Sequence, residues 1–298
     1  MTEFKGCHNC GSKDNSVFIH CRDFFLSGED FNIEKCNSCG FVFTANIPSE
    51  EVIQKYYRSK SYISHSDTRR GLTNRLYHIV RGWMLGRKLR LLKKASGKKV
   101  AKVLDIGSGT GYFQVYLTRK GWSVTGIEIN SDTREYAKKN FSVESYSPDR
   151  MNQLDATSFD FITMWHTLEH FHDPEYYLKP AREILKDDGY LIIALPNHNS
   201  FDSEFYGKYW AAWDVPRHLW HFNPSSISTF IEKFGFKLRS AHRLPFDSFY
   251  ISLLSERYRK SVFPVIQGSL IGFVSWITSL LRKKKSSSLI YIFEKVHS

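Results

Sequence analysis

The sequence predicts an α/β protein built on a doubly wound, mostly parallel sheet, preceded by a small cysteine-rich module. Two observations lead to this prediction. From Val100 onward, short apolar runs alternate with segments of helical spacing, which is the pattern of a doubly wound sheet. All five cysteines lie within the first 39 residues, so their role is local. A chain of 298 residues is long enough for one large domain and one small one.

The cysteines form two Cys-x-x-Cys pairs, Cys7 with Cys10 and Cys36 with Cys39, and a glycine follows each pair. This spacing is typical of a zinc ribbon, in which two tight turns present four thiolates to one tetrahedral ion. Four thiolates leave no open coordination position, so we expect the zinc to be structural. A disulfide pair is the alternative. The N-terminus lacks a basic-then-apolar leader, so we expect a cytoplasmic, reducing location.

The domain boundaries follow from changes in composition and in the spacing of apolar residues along the chain. We predict a zinc ribbon over residues 1–46, a helical lead-in over 47–97 and the main domain over 98–298. The lead-in starts with an acidic first turn after Pro48, passes through the loop-like SYISHSDTRRG and ends in a helix with a basic face. An apolar helical insertion is expected at about 250–284 in the main domain.

The elements of the main domain are predicted from apolar runs and helix signals. Ser131 or Asp132 is expected to cap the second helix, Asp173 with Pro174 to open a later one, and Gly235 to end another. The predicted strands are VAKVLDI, WSVTGIEIN, FDFITMW, LIIALPN and SSLIYIFEKV.

Residues 262–281 form a run of twenty residues without a charge, flanked by RYRK and RKKK. Length and flanks are typical of a membrane helix. However, SSLIYIFEKV after it is expected to return to the sheet, which favours a packed or surface-resting helix over a full span. The basic flanks add the hypothesis that this helix docks on a membrane surface.

The loop Asp105-Ile-Gly107-Ser-Gly109-Thr-Gly111 joins the first strand of the main domain to its helix. A dinucleotide fingerprint needs glycine at position 112, where this chain has Tyr112. An acid ahead of the glycines is a poor neighbour for a pyrophosphate, so the ligand should carry a positive group. Glu128 follows about twenty residues later, where an acid can hold a ribose diol.

VLDIGSGTG followed by IEIN resembles the class I S-adenosylmethionine-dependent methyltransferases over about residues 100–245. The resemblance implies a seven-stranded Rossmann-like sheet, S-adenosylmethionine as cofactor and a small-molecule acceptor. It also implies a set of cofactor-binding residues. These are Asp105, Gly107, Ser108, Gly109 and Gly111 at the methionine part, Glu128 with Ile129 at the ribose, and His166 at the methyl end.

The ribbon and the main domain together are similar to zinc-ribbon methyltransferases acting on sugars and other small molecules. In the sugar C-methyltransferases of this type, a histidine-rich segment after the fifth strand carries the base. Here that segment is Asp214-Val-Pro-Arg-His218-Leu-Trp-His221, which departs from their Tyr-His-Glu-His pattern. By this resemblance His218 and His221 are candidate bases for O- or C-methylation of a sugar, lipid or biosynthetic intermediate.

His166 is a third candidate base, because it follows the predicted strand FDFITMW at the edge where ligands of such sheets bind. Histidine suits this role near neutral pH. His166-Thr-Leu-Glu169-His170 also fits the His-x-x-Glu-His pattern of a metallopeptidase. Asp173-Pro174 opens a helix immediately afterwards, which leaves about one helical turn for a zinc-binding pair. We therefore expect this stretch to form the rim of the cofactor site.

The net charge of +12 indicates an anionic partner or a solvated basic surface. A nucleic-acid methyltransferase is one rival interpretation, supported by the ribbon and the charge. Two features disfavour it. The strand FDFITMW continues into MWHT and lacks the Asn/Asp-Pro-Pro-aromatic turn of methylases that act on amino groups of bases. All the cysteines lie in the ribbon, so none is available to attack a pyrimidine for methylation at carbon 5. A non-catalytic cofactor-binding adaptor is the other rival.

Overall fold

The computed structural model describes residues 6–57 and 72–296 of the chain. The predicted loop SYISHSDTRRG, residues 61–71, therefore lies outside the described residues. The first module is a small antiparallel sheet of β1 (Asn15–Arg22), β2 (Asp30–Cys36) and β3 (Val42–Thr44). A fourth strand, β9 (Trp220–His221), comes from the main domain and pairs with β3.

The main sheet of the described chain has seven strands in the order β10-β11-β8-β7-β4-β5-β6. The predicted seven-stranded, mostly parallel sheet is confirmed. Only β11 runs antiparallel to its two neighbours, β8 and β10. The strands are β4 (Lys102–Ile106), β5 (Ser123–Ile127), β6 (Ser145–Tyr146), β7 (Phe159–Trp165), β8 (Leu185–Pro196), β10 (Phe236–Arg243) and β11 (Ser288–Lys295).

Helices connect these strands and cover the sheet. The cap of the second helix of the sheet is Asn130 rather than Ser131 or Asp132, because the Asn130 side chain accepts the amide of Thr133. Asp173 caps its helix as predicted, accepting two amides of the first turn. The helices are α1 (Glu50–Ile53), α2 (Leu72–Ser96), α3 (Tyr112–Thr118), α4 (Ser131–Phe141), α5 (Pro174–Ile184), α6 (Phe201–Tyr206), α7 (Pro224–Glu232), α8 (Asp247–Tyr258) and α9 (Pro264–Leu281).

The central strands are apolar throughout because both of their faces are covered. Residues 159–164 of β7 are all buried, and residues 191–195 of β8 are fully inaccessible. The parallel register sets Ile106 of β4 beside Met164 of β7 and Ile127 of β5. The segments that follow these three strands therefore meet at one edge of the sheet, where ligands of open α/β folds bind.

The insertion predicted at about 250–284 is a helical hairpin of α8 and α9, placed between β10 and β11. The returning strand SSLIYIFEKV is β11, as predicted. Among the described helices, α9 is the one long and apolar enough to cross a membrane by length and composition. Four of its eighteen residues are buried in the protein, and they are Gly268, Gly272, Ser275 and Ser279.

The ribbon is fixed to the main domain by a buried ion cluster as well as by β9. Arg217 contacts Asp23 of the ribbon at 2.9 Å and Asp214 at 2.7 Å. Its guanidinium also donates to the carbonyl oxygen of Tyr56 and lies over the ring of Phe25. One arginine thus links three parts of the chain that are distant in sequence.

Candidate active site

The glycine loop after β4 takes a left-handed backbone at Gly107, Gly109 and Gly111, with φ of 74°, 53° and 81°. A Cβ at Gly107 would lie 2.3 Å from Thr167, and one at Gly111 would lie 2.6 Å from Val143. These two glycines permit close packing. A Cβ at Gly109 would meet no atom of the described chain within 4 Å. The loop therefore exposes bare backbone to an open space, as a bound cofactor requires.

Glu128 borders the same space from the end of β5. Its carboxylate accepts the amides of Gly109 and Asn130, each at 2.9 Å. Ile129, next to it, is 66% exposed. An acid held against the glycine loop is positioned to accept hydrogen bonds from a ribose diol. The structure therefore places the Glu128 carboxylate directly against the glycine loop.

Asp105 lies beneath the loop and is buried. One of its oxygens accepts the hydroxyl of Thr163 at 2.6 Å. Burial raises the pKa of Asp105 to about 6, although the Thr163 hydrogen bond opposes this shift. Ser108 is also buried and bonds to Ser145 at 3.0 Å. These contacts indicate that Asp105 and Ser108 hold the floor of the loop in place.

His166 is the first residue after β7 and adopts a left-handed φ of 54°, which is uncommon for a residue with a Cβ. Its Nε2 lies 3.2 Å from Asp247 and its Nδ1 lies 3.6 Å from Glu169. Burial opposes a charge on His166, but these two carboxylates outweigh it and raise its pKa to about 10. The side chain is thus an imidazolium at neutral pH, suited to donating hydrogen bonds.

Glu169 is 1% exposed, and neither carboxylate oxygen has a hydrogen-bond partner among the described residues. Its neighbours are histidines: ligand atoms of Glu169, His170 and His218 lie within 4.8 Å of one another. These three side chains could hold a metal ion. His166 is outside that group, and residues 168–170 form one short 3-10 turn. The arrangement differs from the helical histidine pair of a metallopeptidase.

His218 and His221 lie on the segment that joins the main domain to the ribbon. The hydroxyl of Thr44 donates to the carbonyl of His218 and lies 3.0 Å from Nε2 of His221. Because that hydroxyl has one proton, Nε2 of His221 must be the donor in the second contact. His221 is buried at the β3–β9 pairing, and burial lowers its pKa well below the ordinary value.

His218 has a different environment. Its Nδ1 donates to the carbonyl of Ala212 at 2.8 Å, so Nε2 of the neutral ring has a free lone pair. That nitrogen lies 3.9 Å from Asp214. The His218 ring also packs edge-on against His170, with ring centres 4.6 Å apart. Of the two candidate bases His218 and His221, His218 has the hydrogen-bonding pattern that a base needs.

The four predicted ribbon cysteines come together in the structure. Sγ of Cys7 lies 3.6 Å from Sγ of Cys39, and Sγ of Cys10 lies 3.5 Å from Sγ of Cys36. All four sulfur atoms lie within 4.8 Å of one another. A disulfide would hold two sulfurs at about 2.05 Å, whereas four thiolates around zinc at about 2.3 Å are separated as observed here. The residues therefore fit a tetrahedral zinc ion.

Two residues of the site have no local signal in the sequence. Asp247 begins α8 and contacts His166, and Lys88 comes from the middle of α2 and lies near both Asp105 and Asp247. Burial lowers the pKa of Lys88 to about 8, and its ammonium lies 4.0 Å from the ring centre of Trp165. A basic helix and a first-turn acid are common surface features. Only their placement marks them as parts of the site.

A Rossmann-like sheet with a glycine loop and an acid at its carboxyl edge defines the class I methyltransferase type of protein. The chain belongs to the methyltransferase domain family, whose sequence profile matches residues 78–241. The resemblance noted in the sequence is thereby confirmed at the level of family and fold.

The relatives and solved structures agree with this assignment. The chain is 33% identical over 116 residues to a ubiquinone biosynthesis O-methyltransferase of Actinobacillus pleuropneumoniae, covering 35% of this chain and 50% of that protein. It is 27% identical over 129 residues to the mitochondrial enzyme of that name from Schizosaccharomyces pombe, covering 41% and 47%. The chain thus spans about half the length of these curated relatives.

Two solved structures share the fold. A Galdieria sulphuraria protein described as a sarcosine dimethylglycine methyltransferase aligns with a TM-score of 0.50 and 18% identity, over 75% of this chain and 88% of that one. A Pyrococcus horikoshii protein aligns with a TM-score of 0.51 and 15% identity, over 81% and 98%. At these identities the likeness concerns the fold alone.

Proposed function

We propose that this protein transfers a methyl group from S-adenosylmethionine to an oxygen atom of a small molecule. The observation that carries this proposal is the open space in front of Gly109, bordered by the carboxylate of Glu128. The names of the curated relatives, which are O-methyltransferases, favour oxygen over carbon as the methylated atom. The acceptor that we propose is a sugar, a lipid or another biosynthetic intermediate.

When bound, S-adenosylmethionine supplies an electrophilic methyl group that needs an aligned nucleophile and no metal. In this chain, the bare backbone at Gly109 would leave room for the methionine part of the cofactor. Glu128 would accept hydrogen bonds from the ribose hydroxyls, and Ile129 would lie beside the ribose. Gly107, Gly111, Asp105 and Ser108 would hold the loop in its shape. These roles agree with the observed contacts of the loop.

We assign the acceptor side of the site to His166 and His218. The positive charge of an imidazolium at His166 would stabilise the oxyanion that develops on the acceptor and so lower the pKa of its hydroxyl. The free Nε2 of His218 is the base that we propose for the proton released. His221 remains a predicted base as well, although its hydrogen bonds support a role in holding β9 to β3.

For the ribbon we propose one structural zinc ion held by Cys7, Cys10, Cys36 and Cys39. The separation of the sulfur atoms supports it, because the pairs are too far apart for disulfides. Thiolates of this kind persist in a reducing compartment, which agrees with a cytoplasmic location. The zinc would stabilise the fold of the ribbon and take no part in the methyl transfer.

Calorimetric titration with S-adenosylmethionine tests the cofactor site. We expect Glu128→Gln to weaken binding by about ten- to a hundredfold, because it removes charged hydrogen bonds to the ribose. Glu183→Gln, on an exposed acid, is the matched control and should bind as the wild type does. Folded protein that does not bind S-adenosylmethionine would refute the proposal.

The acceptor side needs a transfer assay with methyl-labelled cofactor and a panel of phenols, catechols, sugars and lipid alcohols. We expect label on an oxygen atom of one class, and a loss of turnover in His166→Gln and His218→Gln with cofactor affinity retained. Label on carbon would overturn the assignment of oxygen. Full turnover in both variants would overturn the roles of these histidines.

A further inference from the structure

Helix α9 turns its small residues, glycine and serine, inward and its large apolar residues outward. A Cβ at Gly268 would lie 2.7 Å from Cα of Leu253, and one at Gly272 would lie 2.8 Å from Cα of Phe249. The contact with α8 is therefore too close for larger residues at these positions. The buried residues, at 268, 272, 275 and 279, follow helical spacing and define one inner face.

The opposite face is an apolar stripe at the same spacing. An ordinary surface helix of a soluble protein has the reverse arrangement, with its apolar stripe against the core. Exposed fractions along this stripe range from 37% to 68%. Its members are Phe263, Ile266, Leu270, Phe273, Ile277 and Leu280.

Cations border the apolar stripe at both ends, and no charged residue interrupts it between positions 262 and 281. Arg257 and Lys260 precede the helix, and Arg282, Lys283 and Lys284 follow it. All five are exposed, and none forms an ion pair with any residue in the described ranges. A second copy of the chain on this face would bring like charges together in either orientation. The charge therefore favours an anionic occupant.

The hairpin geometry relates this face to the active site. Because Gly272 lies opposite Phe249 and Gly268 opposite Leu253, the two helices are antiparallel. The carboxyl end of α9 therefore lies beside the amino end of α8, where Asp247 contacts His166 at 3.2 Å. Two exposed rings lie at this end of the hairpin, because Phe246 precedes Asp247 in the chain and packs edge-on against Trp83 at 5.1 Å.

We propose that α9 docks the protein on an anionic phospholipid surface. The apolar stripe enters the interface in the plane of the membrane, and the basic ends contact the headgroups. The helix lies on the surface rather than across the bilayer, because its inner face is packed on α8 and both ends of the hairpin return to paired strands. This docking sets the active site beside the lipid, so the acceptor is amphiphilic. The last step rests on the proposed function, and the docking itself does not.

Flotation of the full chain with vesicles tests the docking. The vesicles are phosphatidylcholine with phosphatidylglycerol, and phosphatidylcholine alone. We expect binding to the anionic vesicles that falls as salt rises, and a loss of about tenfold or more for Leu270→Glu with Phe273→Glu. Lys283→Gln with Lys284→Gln should weaken binding to anionic vesicles and flatten its salt dependence.

The matched control carries Val17→Glu with Val52→Glu, which adds the same two charges at other exposed apolar positions away from α9. It should float as the wild type does, and circular dichroism of every variant confirms folding. Equal flotation of the stripe variant and the control overturns the proposal. So does a dimer on size exclusion that Leu270→Glu with Phe273→Glu dissociates, because the occupant is then a second copy.

Cofactor titration on the same samples separates the two proposals. If the protein floats but does not bind S-adenosylmethionine, the docking stands and the proposed function fails. If it binds the cofactor and methylates only water-soluble acceptors without flotation, the docking fails and the methyl transfer stands.

Discussion

Arg217 joins the ribbon to the main domain, and replacing it tests whether the two modules fold as one unit. Its side chain is 2% exposed and that of Asp23 is completely buried. Arg217→Met keeps most of the volume of the side chain but removes the charge. The carboxylates of Asp23 and Asp214 then lose their shared cation.

The expected cost follows from what each carboxylate retains. Removing one partner of a buried ion pair costs about 3–5 kcal/mol. Asp23 still accepts hydrogen bonds from the backbone amides of residues 25–27 and from the hydroxyl of Ser27. The side chain of Asp214 is 26% exposed, so water can solvate its charge. We therefore expect the lower end, about 3 kcal/mol. For a chain of 298 residues this lowers Tm by about 5 °C.

Differential scanning calorimetry measures this change, with Arg239→Met as the matched control. Arg239 forms an exposed pair with Glu294 at 3.6 Å, whose loss should cost less than about 1 kcal/mol. Asp23→Asn in the Arg217→Met background should restore part of the stability, because it removes the unpaired buried charge. Equal Tm values for Arg217→Met and the control would refute the reasoning.

The same variant has a defined pH dependence. Burial alone would raise the pKa of Asp23, but hydrogen bonds and charge from Arg217 outweigh it and hold that pKa below its ordinary value. A depressed pKa contributes stability above the unfolded value of about 4, and this stability is lost as the pH falls through the folded value. The advantage of the wild type over Arg217→Met should therefore be complete at neutral pH and shrink in acid.

The remaining predictions concern the zinc and His166. Chelation of the metal, or Cys10→Ser, should lower Tm while leaving the affinity for S-adenosylmethionine unchanged; an equal collapse of affinity in still-folded protein would contradict a purely structural zinc. The imidazole of His166 should titrate near 10 by NMR, and Asp247→Asn should bring its pKa down towards 6.5. Because the folded pKa is raised, the stability advantage of the wild type over His166→Gln should be complete below about 6.5 and vanish as the pH rises through about 10. A pKa that Asp247→Asn leaves unchanged would rule out this pairing.

The glycine loop and Glu128, to which we assign the cofactor, could be found in the sequence because their signals are local. Gly107, Gly109 and Gly111 are needed where the backbone turns left-handed within one short loop, and Glu128 follows the next strand. The acceptor side could not be predicted in the same way. His166 was identified, but its protonation depends on Asp247, about eighty residues away in the chain.

The sequence by itself determined the alternation of strands and helices, the glycine loop, the four cysteines and the apolar run at 262–281. Each of these is a short-range pattern of residue size, polarity and spacing. Only the tertiary structure decided that β9 completes the ribbon sheet, that Arg217 is shared between modules and that α9 faces outward. Pairing partners, burial and the orientation of a helix depend on neighbours far away in sequence, and no local pattern contains them.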